Sequence, residues 1–200
     1  MNIKITTEDV KKLRDKTGIS VMQCKKALEE AEGDEQKALA ILQSKGKEIA
    51  SKKGERTLGA GIIASYIHSN GAIGAMVELS CESDFVAKNE EFKTLAYDIA
   101  MHAVALNPKF VSDAHIKDED RTVITALFAE EVAKSGKPKN IQEKMLEGKL
   151  GTYFKEQTLL DQSFVKNPDI TIKGLIDSAI QKFGERIEVA RFTRFSVLGR

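Results

Sequence analysis

Cysteine, histidine and aromatic residues are scarce in this sequence. Its 200 residues include two cysteines, three histidines and no tryptophan, and 6% of the residues are aromatic. Cys24 and Cys81 stand far apart and belong to no CxxC pair, so neither a disulfide framework nor a structural zinc site is predicted, and a reducing compartment is expected. The histidines, His68, His102 and His115, are equally dispersed. The sequence therefore predicts no metal site.

Long apolar runs and an excess of one charge are also missing. No apolar segment approaches the roughly 18 residues that span a membrane, and the N-terminal residues lack the apolar stretch of a secretory signal. The 31 basic residues balance the 30 acidic ones, which argues against direct nucleic-acid binding and against a polybasic membrane anchor. Because 42% of the residues are hydrophobic, the chain can bury a core. These features predict a soluble, cytoplasmic protein.

The N-terminal segment has the sequence pattern of three short helices. Each is preceded by an oxygen-bearing side chain that can accept hydrogen bonds from first-turn amides: Thr6 or Thr7, then Ser20, then Asp34. Gly46 is expected to end the third helix, and residues 47–57 fit either a linker or a solvated helix. Three short helices bury little apolar area, so such a bundle typically presents a surface to a partner.

A β-hairpin is predicted next. Residues 62–67 and 72–81 are rich in β-branched and apolar side chains, and Asn70-Gly71 between them favours a type I′ turn. A third strand is predicted at 186–198. Its apolar side chains would lie on both faces: Ile187, Val189 and Val197 on one, Ala190, Phe192 and Leu198 on the other. This implies that helices cover both sides of the sheet or that a second subunit covers one.

Helical patterns fill the rest of the chain. They cover residues 92–106, 119–134, 141–160 and 172–183, with breaks at Asn107-Pro108, Gly136, Asn167-Pro168 and Gly184. The apolar residues expected on one buried face of the first segment are Phe92, Leu95, Ile99, Ala103 and Leu106. Strands separated by helices predict an α+β fold, with a three-helix bundle followed by a small three-stranded antiparallel sheet covered by helices. We expect two units, 1–54 for the bundle and its linker and 55–200 for the core.

Residues suited to covalent chemistry do not cluster in the sequence. It has no GxxxxGK[ST] loop for nucleotide phosphates. The carboxylate of Glu82, next to Cys81, would raise rather than lower the thiol pKa. Neither a catalytic site nor a bound cofactor is predicted.

The segment 83–86, SDFV, lies between a predicted strand and a predicted helix. Phe85 can plug the core there, or it can protrude beside the Asp84 carboxylate and enter a pocket of a partner. Val21 and Met22 pose a similar question, because only one of two adjacent side chains at a helix start can face the bundle core. The sequence leaves both questions open.

Longer motifs resemble one protein family. The stretch SDFVAKNEEF at 83–92 is similar to the signature of bacterial translation elongation factor Ts, in which Thr usually stands in place of Ser83. LRDKTGISVMQCKKALEEAEGD at 13–34 resembles the N-terminal module of that family, and FVKNPDITIKGLI and FGERIEVARFTRF resemble its C-terminal part. The resemblance runs in order along nearly the whole chain.

The resemblance implies a guanine nucleotide exchange factor for elongation factor Tu, which performs no covalent chemistry and needs no cofactor. In the family, a ubiquitin-associated-like bundle docks on the nucleotide-binding domain of Tu. The aromatic residue of the signature wedges into the same domain and disturbs its magnesium ion. Carried onto this chain, Asp84 and Phe85 would make the insertion, and Ser83 and Val86 would set their position.

The resemblance also implies further contacts and an oligomeric state. Arg14, Val21 and Met22 match the N-terminal contact surface of the family, and Lys53 is a weaker match. Residues 19–21, Ile-Ser-Val, replace the more usual Ala-Gly-Met, so this surface differs in detail. The chain resembles the short family form, for which we expect no second core repeat, no coiled-coil insertion and a homodimer.

Three other functions compete with nucleotide exchange. An adaptor built on the N-terminal bundle explains the first unit but leaves the Asp84-Phe85 pair without a role. An enzyme that uses Cys81 or His102 is the second alternative. An RNA-binding ribosome accessory is the third, and it would need the basic excess that this chain lacks.

Overall fold

The computed structural model describes residues 5–197 and residue 199. The helices are α1 (Thr7–Thr17), α2 (Val21–Glu30), α3 (Glu35–Lys53), α4 (Asp84–Ala87), α5 (Glu90–Leu106), α6 (Asp118–Ala133), α7 (Lys139–Gln157) and α8 (Ile172–Phe183). The strands are β1 (Ala60–Ile67), β2 (Ile73–Cys81), β3 (Ser163–Phe164), β4 (Asn167–Thr171) and β5 (Ile187–Ser196). Two short 3₁₀ turns, Asp113–His115 and Leu159–Asp161, flank the pair of helices α6 and α7. The fold thus mixes helices and strands, as predicted.

Helices α1, α2 and α3 pack around an apolar cluster of their own, and their predicted caps are confirmed. Thr6 Oγ1 accepts from the Asp9 amide at 3.2 Å, while the Asp9 carboxylate accepts from the Thr6 amide at 3.0 Å. The side chains of Ser20 and Asp34 cap α2 and α3 by accepting from first-turn amides, without the reciprocal bond seen at Thr6. The residues that form the cluster are Val10, Leu13, Ile19, Cys24, Ala27, Leu28, Ala31, Ala38 and Leu42. The bundle follows from local capping and a continuous apolar face.

The prediction that Gly46 ends the third helix is wrong, because α3 continues to Lys53. Gly46 lies where α3 crosses α8. A Cβ atom at this position would stand 3.2 Å from the carbonyl oxygen of Asp177. The glycine therefore allows two helices to approach closely rather than stopping one of them. Most of the segment 47–57 is accordingly helical.

The hairpin of β1 and β2 is confirmed, but its predicted type I′ turn is wrong. Gly71 has a positive φ of 67°, whereas Asn70 does not have a positive φ. The Gly71 amide donates to the His68 carbonyl at 2.8 Å, and the Asn70 side chain accepts from the Ala72 amide at 3.0 Å. Asn70 thus stabilises a longer loop through its side chain instead of adopting the left-handed conformation that a type I′ turn requires.

Strand β5 pairs antiparallel with β2, which gives the sheet order β1-β2-β5. Leu79 pairs with Val189 and Glu78 pairs with Arg191, so Ala190 is an extra residue, a β-bulge. The bulge shifts the alternation of side chains. Phe192 therefore lies on the same face as Val189, and Val197, predicted to share the face of Val189, lies on the opposite one. The predicted position of Leu198 falls outside the described residues.

One face of the sheet is covered by α5 and α8, and together they bury the main core. Four of the five predicted α5 residues are buried, while Leu106 is exposed because it lies at the helix end. Thr171 caps α8 and Gly184 ends it with a φ of 70°, both as predicted. The opposite sheet face carries exposed apolar side chains, and no helix among the described residues packs on it. The expected cover is therefore present on one side.

The sequence did not predict the strands β3 and β4. They form a two-stranded hairpin that precedes α8, and Asn167-Pro168, expected as a break, belongs to β4. The pairing is short, with Ser163 opposite Thr171 and Phe164 opposite Asn167. Pro168 fits an edge position because it has no amide to donate.

Helices α6 and α7 pair with each other as an antiparallel hairpin. Phe128 contacts Tyr153 edge to face, Arg121 lies over the Phe154 ring, and Lys149 pairs with a carboxylate of α6. Among the residues of both helices only Val132 is buried. Both helices lie close to their predicted positions, and they extend from the core as a largely exposed pair.

His102 on α5 is fully buried and bonded through both ring nitrogens. Its Nδ1 accepts from the Val165 amide at 3.2 Å, and its Nε2 donates to the Gln162 side-chain oxygen at 2.9 Å. Burial lowers the pKa of His102 below its usual value. The neutral ring fixes the segment after α7 against α5.

We expect His102→Asn to remove one component of the pH dependence of folding. A histidine whose pKa is lower in the folded state contributes stability above about pH 6.5, and this is lost as the pH falls through the folded pKa. Asn can still accept from the Val165 amide but cannot titrate. The variant should lose about 1–3 kcal/mol at pH 8, and the difference from the wild type should shrink towards pH 5. Urea unfolding at several pH values measures it, and a constant difference would contradict the account.

Candidate partner-binding surface

The segment Ser83–Val86 forms a tight turn between β2 and α5. Ser83 caps the short helix α4, with its Oγ 3.5 Å from the Val86 amide that donates to it. Val86 is buried, whereas the side chain of Phe85 is 84% exposed. Phe85 thus protrudes from the surface and does not plug the core, which answers the question that the sequence left open.

Two carboxylates and the backbone next to them hold this turn in place. Both oxygens of the Glu185 carboxylate accept hydrogen bonds: from the Ser83 hydroxyl at 2.5 Å, and from the Glu82 and Ser83 amides at 3.1 and 3.0 Å. In return, the Glu82 carboxylate accepts from the Arg186 amide at 2.5 Å. We call Glu82, Ser83, Glu185 and Arg186 the carboxylate clasp. It joins the end of β2 to the start of β5.

Within the clasp, the surroundings of Glu82 favour its ionised form. The Arg186 amide, and then the Arg56 guanidinium 3.1 Å away, lower the pKa of Glu82. Arg186 also donates from its guanidinium to the Arg56 carbonyl at 2.7 Å. Glu185 is not recognisable as a site residue from the sequence pattern. Its only signal was its place directly after Gly184, the predicted end of a helix.

The N-terminal positions Val21 and Met22 are both exposed, at 52% and 65%. Neither of them faces the bundle core, because the first α2 side chain in that core is Cys24. Arg14 lies near the end of α1 with an exposed side chain. These three residues therefore form an accessible group with two apolar members and one cation.

Lys53, the weaker sequence candidate, is engaged within the chain. Its Nζ donates to the Gly184 carbonyl at 2.5 Å, which is the C-cap carbonyl of α8. A cation is favourable at a helix C-terminus because it complements the carbonyl dipoles there. Lys53 thus ties the end of α3 to the end of α8.

Lys182 on α8 lies between the start of α5 and the turn that joins α1 to α2. It forms an ion pair with Glu91 at the start of α5, and a Cβ atom on Gly18 would lie 2.8 Å from its Nζ. Burial, and then the nearby Arg14 guanidinium, lower the pKa of Lys182. The turn between α1 and α2 is therefore adjacent to the helix that directly follows the protruding Phe85.

The described residues offer no alternative reactive centre. Cys81 is buried, its thiol donates to the Ser83 carbonyl at 3.3 Å, and burial, followed by the Glu185 charge, raises its pKa. No group of three or more metal-binding side chains is found in the described part of the chain.

No described helix is both long and apolar enough to cross a membrane.

Comparison with known proteins identifies the family. The profile of the family described as Elongation factor TS matches residues 6–199. Relatives named Elongation factor Ts include that of Thermodesulfovibrio yellowstonii, 49% identical over 193 residues that cover 96% of each chain. The Carboxydothermus hydrogenoformans relative is 47% identical, and the match covers 96% of this chain and 89% of the relative. The Thermosipho melanesiensis relative is 45% identical, and the match covers 96% of this chain and 98% of the relative.

The chain belongs to the elongation factor Ts family. This confirms the resemblance carried by the motifs at 13–34 and 83–92. Elongation factor Ts proteins are elongation factors of protein biosynthesis.

We expect both thiols to be inert in the folded protein. Cys24 and Cys81 are both buried, and the raised pKa of Cys81 further reduces the fraction of its reactive thiolate. Labelling with iodoacetamide at pH 8 should be at least about tenfold slower than in the urea-unfolded chain, because it requires local opening. Rapid labelling of Cys81 without urea would show that the turn at 83–86 does not shield it.

Proposed function

We propose that this protein is a guanine nucleotide exchange factor for elongation factor Tu and performs no covalent chemistry. The single observation that carries the proposal is Phe85, whose side chain is 84% exposed on a turn held by hydrogen bonds. A protruding aromatic ring on a fixed turn suits insertion into a pocket of a partner. Membership of the elongation factor Ts family supports the identity of that partner.

The proposed mechanism is thermodynamic linkage. GDP is held on Tu through its phosphates together with a magnesium ion. We propose that Asp84 and Phe85 enter the nucleotide-binding domain and disturb that ion, while Ser83 and Val86 hold the turn. A partner that binds the nucleotide-free state best weakens nucleotide binding by the same factor by which nucleotide weakens the partner. GDP then leaves faster, and GTP refills the site.

The N-terminal helices supply the proposed second contact. We propose that they form a ubiquitin-associated-like unit, residues 1–54, which docks on the same domain of Tu, and that residues 55–200 form the core. Arg14, Val21 and Met22 are the proposed contact residues because all three are exposed. Lys53 is the weakest of the four, since its ammonium group already bonds to Gly184.

We expect Phe85→Ala to slow nucleotide exchange by at least about tenfold, because an inserted aromatic residue typically contributes about 2 kcal/mol or more. The ring makes little contact with its own chain, so the free energy of unfolding should change by less than about 0.5 kcal/mol. Stopped-flow release of mant-GDP from Tu measures the effect.

Val123→Ala is a matched control, because Val123 is an exposed apolar residue on α6. Wild-type release rates for Phe85→Ala would refute the insertion mechanism. An adaptor that used only the N-terminal bundle would bind Tu yet leave GDP release at its intrinsic rate, even with the wild-type chain.

We also propose that two copies of the chain pair through the open face of the sheet. This face carries the exposed apolar side chains Ile63, Ile67, Met76, Phe195 and Val197. A twofold axis would place the same patch of each copy against the other. The strand at 186–198 contains no cysteine, so a disulfide in that strand cannot stabilise the pair.

Met76→Glu should convert the dimer into a monomer, because it places a charge at the centre of the apolar patch, beside Ser65 and Thr193. Size-exclusion chromatography with light scattering should give twice the 22.1 kDa chain mass for the wild type and that mass itself for the variant. Val123→Glu, which adds the same charge on α6, should remain dimeric. A wild-type monomer would contradict the proposal.

A further inference from the structure

We infer that Glu185 is a positioning residue for nucleotide exchange, which holds Phe85 in the orientation that insertion needs. The inference rests on the function proposed above. Glu185 does not belong to the exposed turn itself, since it lies about a hundred residues later in the sequence, between α8 and β5. Its influence on Phe85 would pass entirely through the carboxylate clasp.

The geometry of the clasp gives Glu185 control over the first turn of α4. One oxygen of its carboxylate accepts from the Glu82 and Ser83 amides, and the other accepts from the Ser83 hydroxyl. Because that hydroxyl has a single proton, donation to Glu185 leaves only its lone pairs for the amide of Val86. Glu185 therefore orients the capping group that fixes the backbone on both sides of Phe85.

This control matters because the Phe85 ring has little else to hold it. With 84% of the side chain exposed, its direction depends on the backbone of the turn and on the buried side chain of Val86. A rigid turn has already lost the conformational entropy that a mobile turn would lose on binding. Loosening the turn would consequently weaken insertion without removing any atom of the contact surface.

The position of Glu185 also connects the turn to the N-terminal helices. The preceding residue, Gly184, accepts from Lys53 of α3, and Lys182 lies against Gly18. The segment 182–185 thus touches the bundle on one side and the turn that carries Phe85 on the other. Glu185 sets the position of the ring relative to the second proposed contact group.

The decisive experiment is a double-mutant cycle between Glu185→Gln and Phe85→Ala. Glutamine keeps the size of the side chain, but its amide group cannot accept from the Ser83 hydroxyl and the two backbone amides together. Mant-GDP release from Tu, at saturating and half-saturating factor, is measured for the wild type, both single variants and the double variant. Unfolding midpoints in urea are recorded for all four.

We expect Glu185→Gln to reduce the saturated release rate by about tenfold, because it removes preorganisation of the inserting group. In the Phe85→Ala background the same change should cost clearly less, since the ring is gone and only Asp84 remains to be positioned. The control Glu188→Gln should retain the wild-type rate, because Glu188 pairs with the Arg186 side chain and not with residues 82 or 83.

The outcomes separate this inference from the function on which it rests. Equal losses from Glu185→Gln in both backgrounds, or no loss, would refute the positioning role while leaving insertion intact. A Phe85→Ala variant with the wild-type rate would refute insertion itself. If Glu185→Gln fails to fold, Ser83→Ala tests the same link, because it removes only the hydroxyl between Glu185 and the Val86 amide. Additivity of that change with Phe85→Ala would also refute the inference.

Discussion

Hydrogen bonds to two carboxylates join the neighbouring antiparallel strands β2 and β5 at one end. The Glu185 carboxylate, next to β5, accepts from the Glu82 amide after β2, and the Glu82 carboxylate accepts from the Arg186 amide before β5. Unpaired amides at the end of a sheet cost free energy when they are shielded from water. Glu185 and Glu82 remove that cost, and in doing so they fix the direction in which the chain leaves the sheet. The protruding turn, the start of α5 and the end of α8 all take their positions from this arrangement.

The rest of the core follows from the same sheet. Helices α5 and α8 bury one of its faces, and α3 is packed on α8 through the close approach at Gly46. The N-terminal helices are therefore attached to the core through α8, the helix that ends next to the clasp. Lys182 of α8 reaches both Glu91 at the start of α5 and the turn at Gly18, so α8 links the bundle to the helix that follows the turn at 83–86.

Features set by local interactions could be predicted from the sequence, and those set by distant ones could not. Thr6, Ser20, Asp34 and Thr171 cap helices within three residues of themselves, so their roles are visible in a linear pattern. The continuation of α3 depends on α8, and the bulge at Ala190 depends on pairing with β2. The turn at 83–86 can be located as the junction between a predicted strand and a predicted helix, but the exposure of Phe85 cannot be predicted from that position. Glu185 was not found, because its partners lie on another strand.

The continuity of α3 has a consequence for the way in which the molecule meets a partner. Its 19 residues extend for about 28 Å without interruption, and no flexible linker separates the bundle from the helix that packs on α8. With a flexible tether, the second contact would depend on a diffusive search that grows with tether length. Because α3 connects the two contact groups without such a tether, both contacts should form in one binding event. Lengthening α3 by a single residue would rotate one group relative to the other.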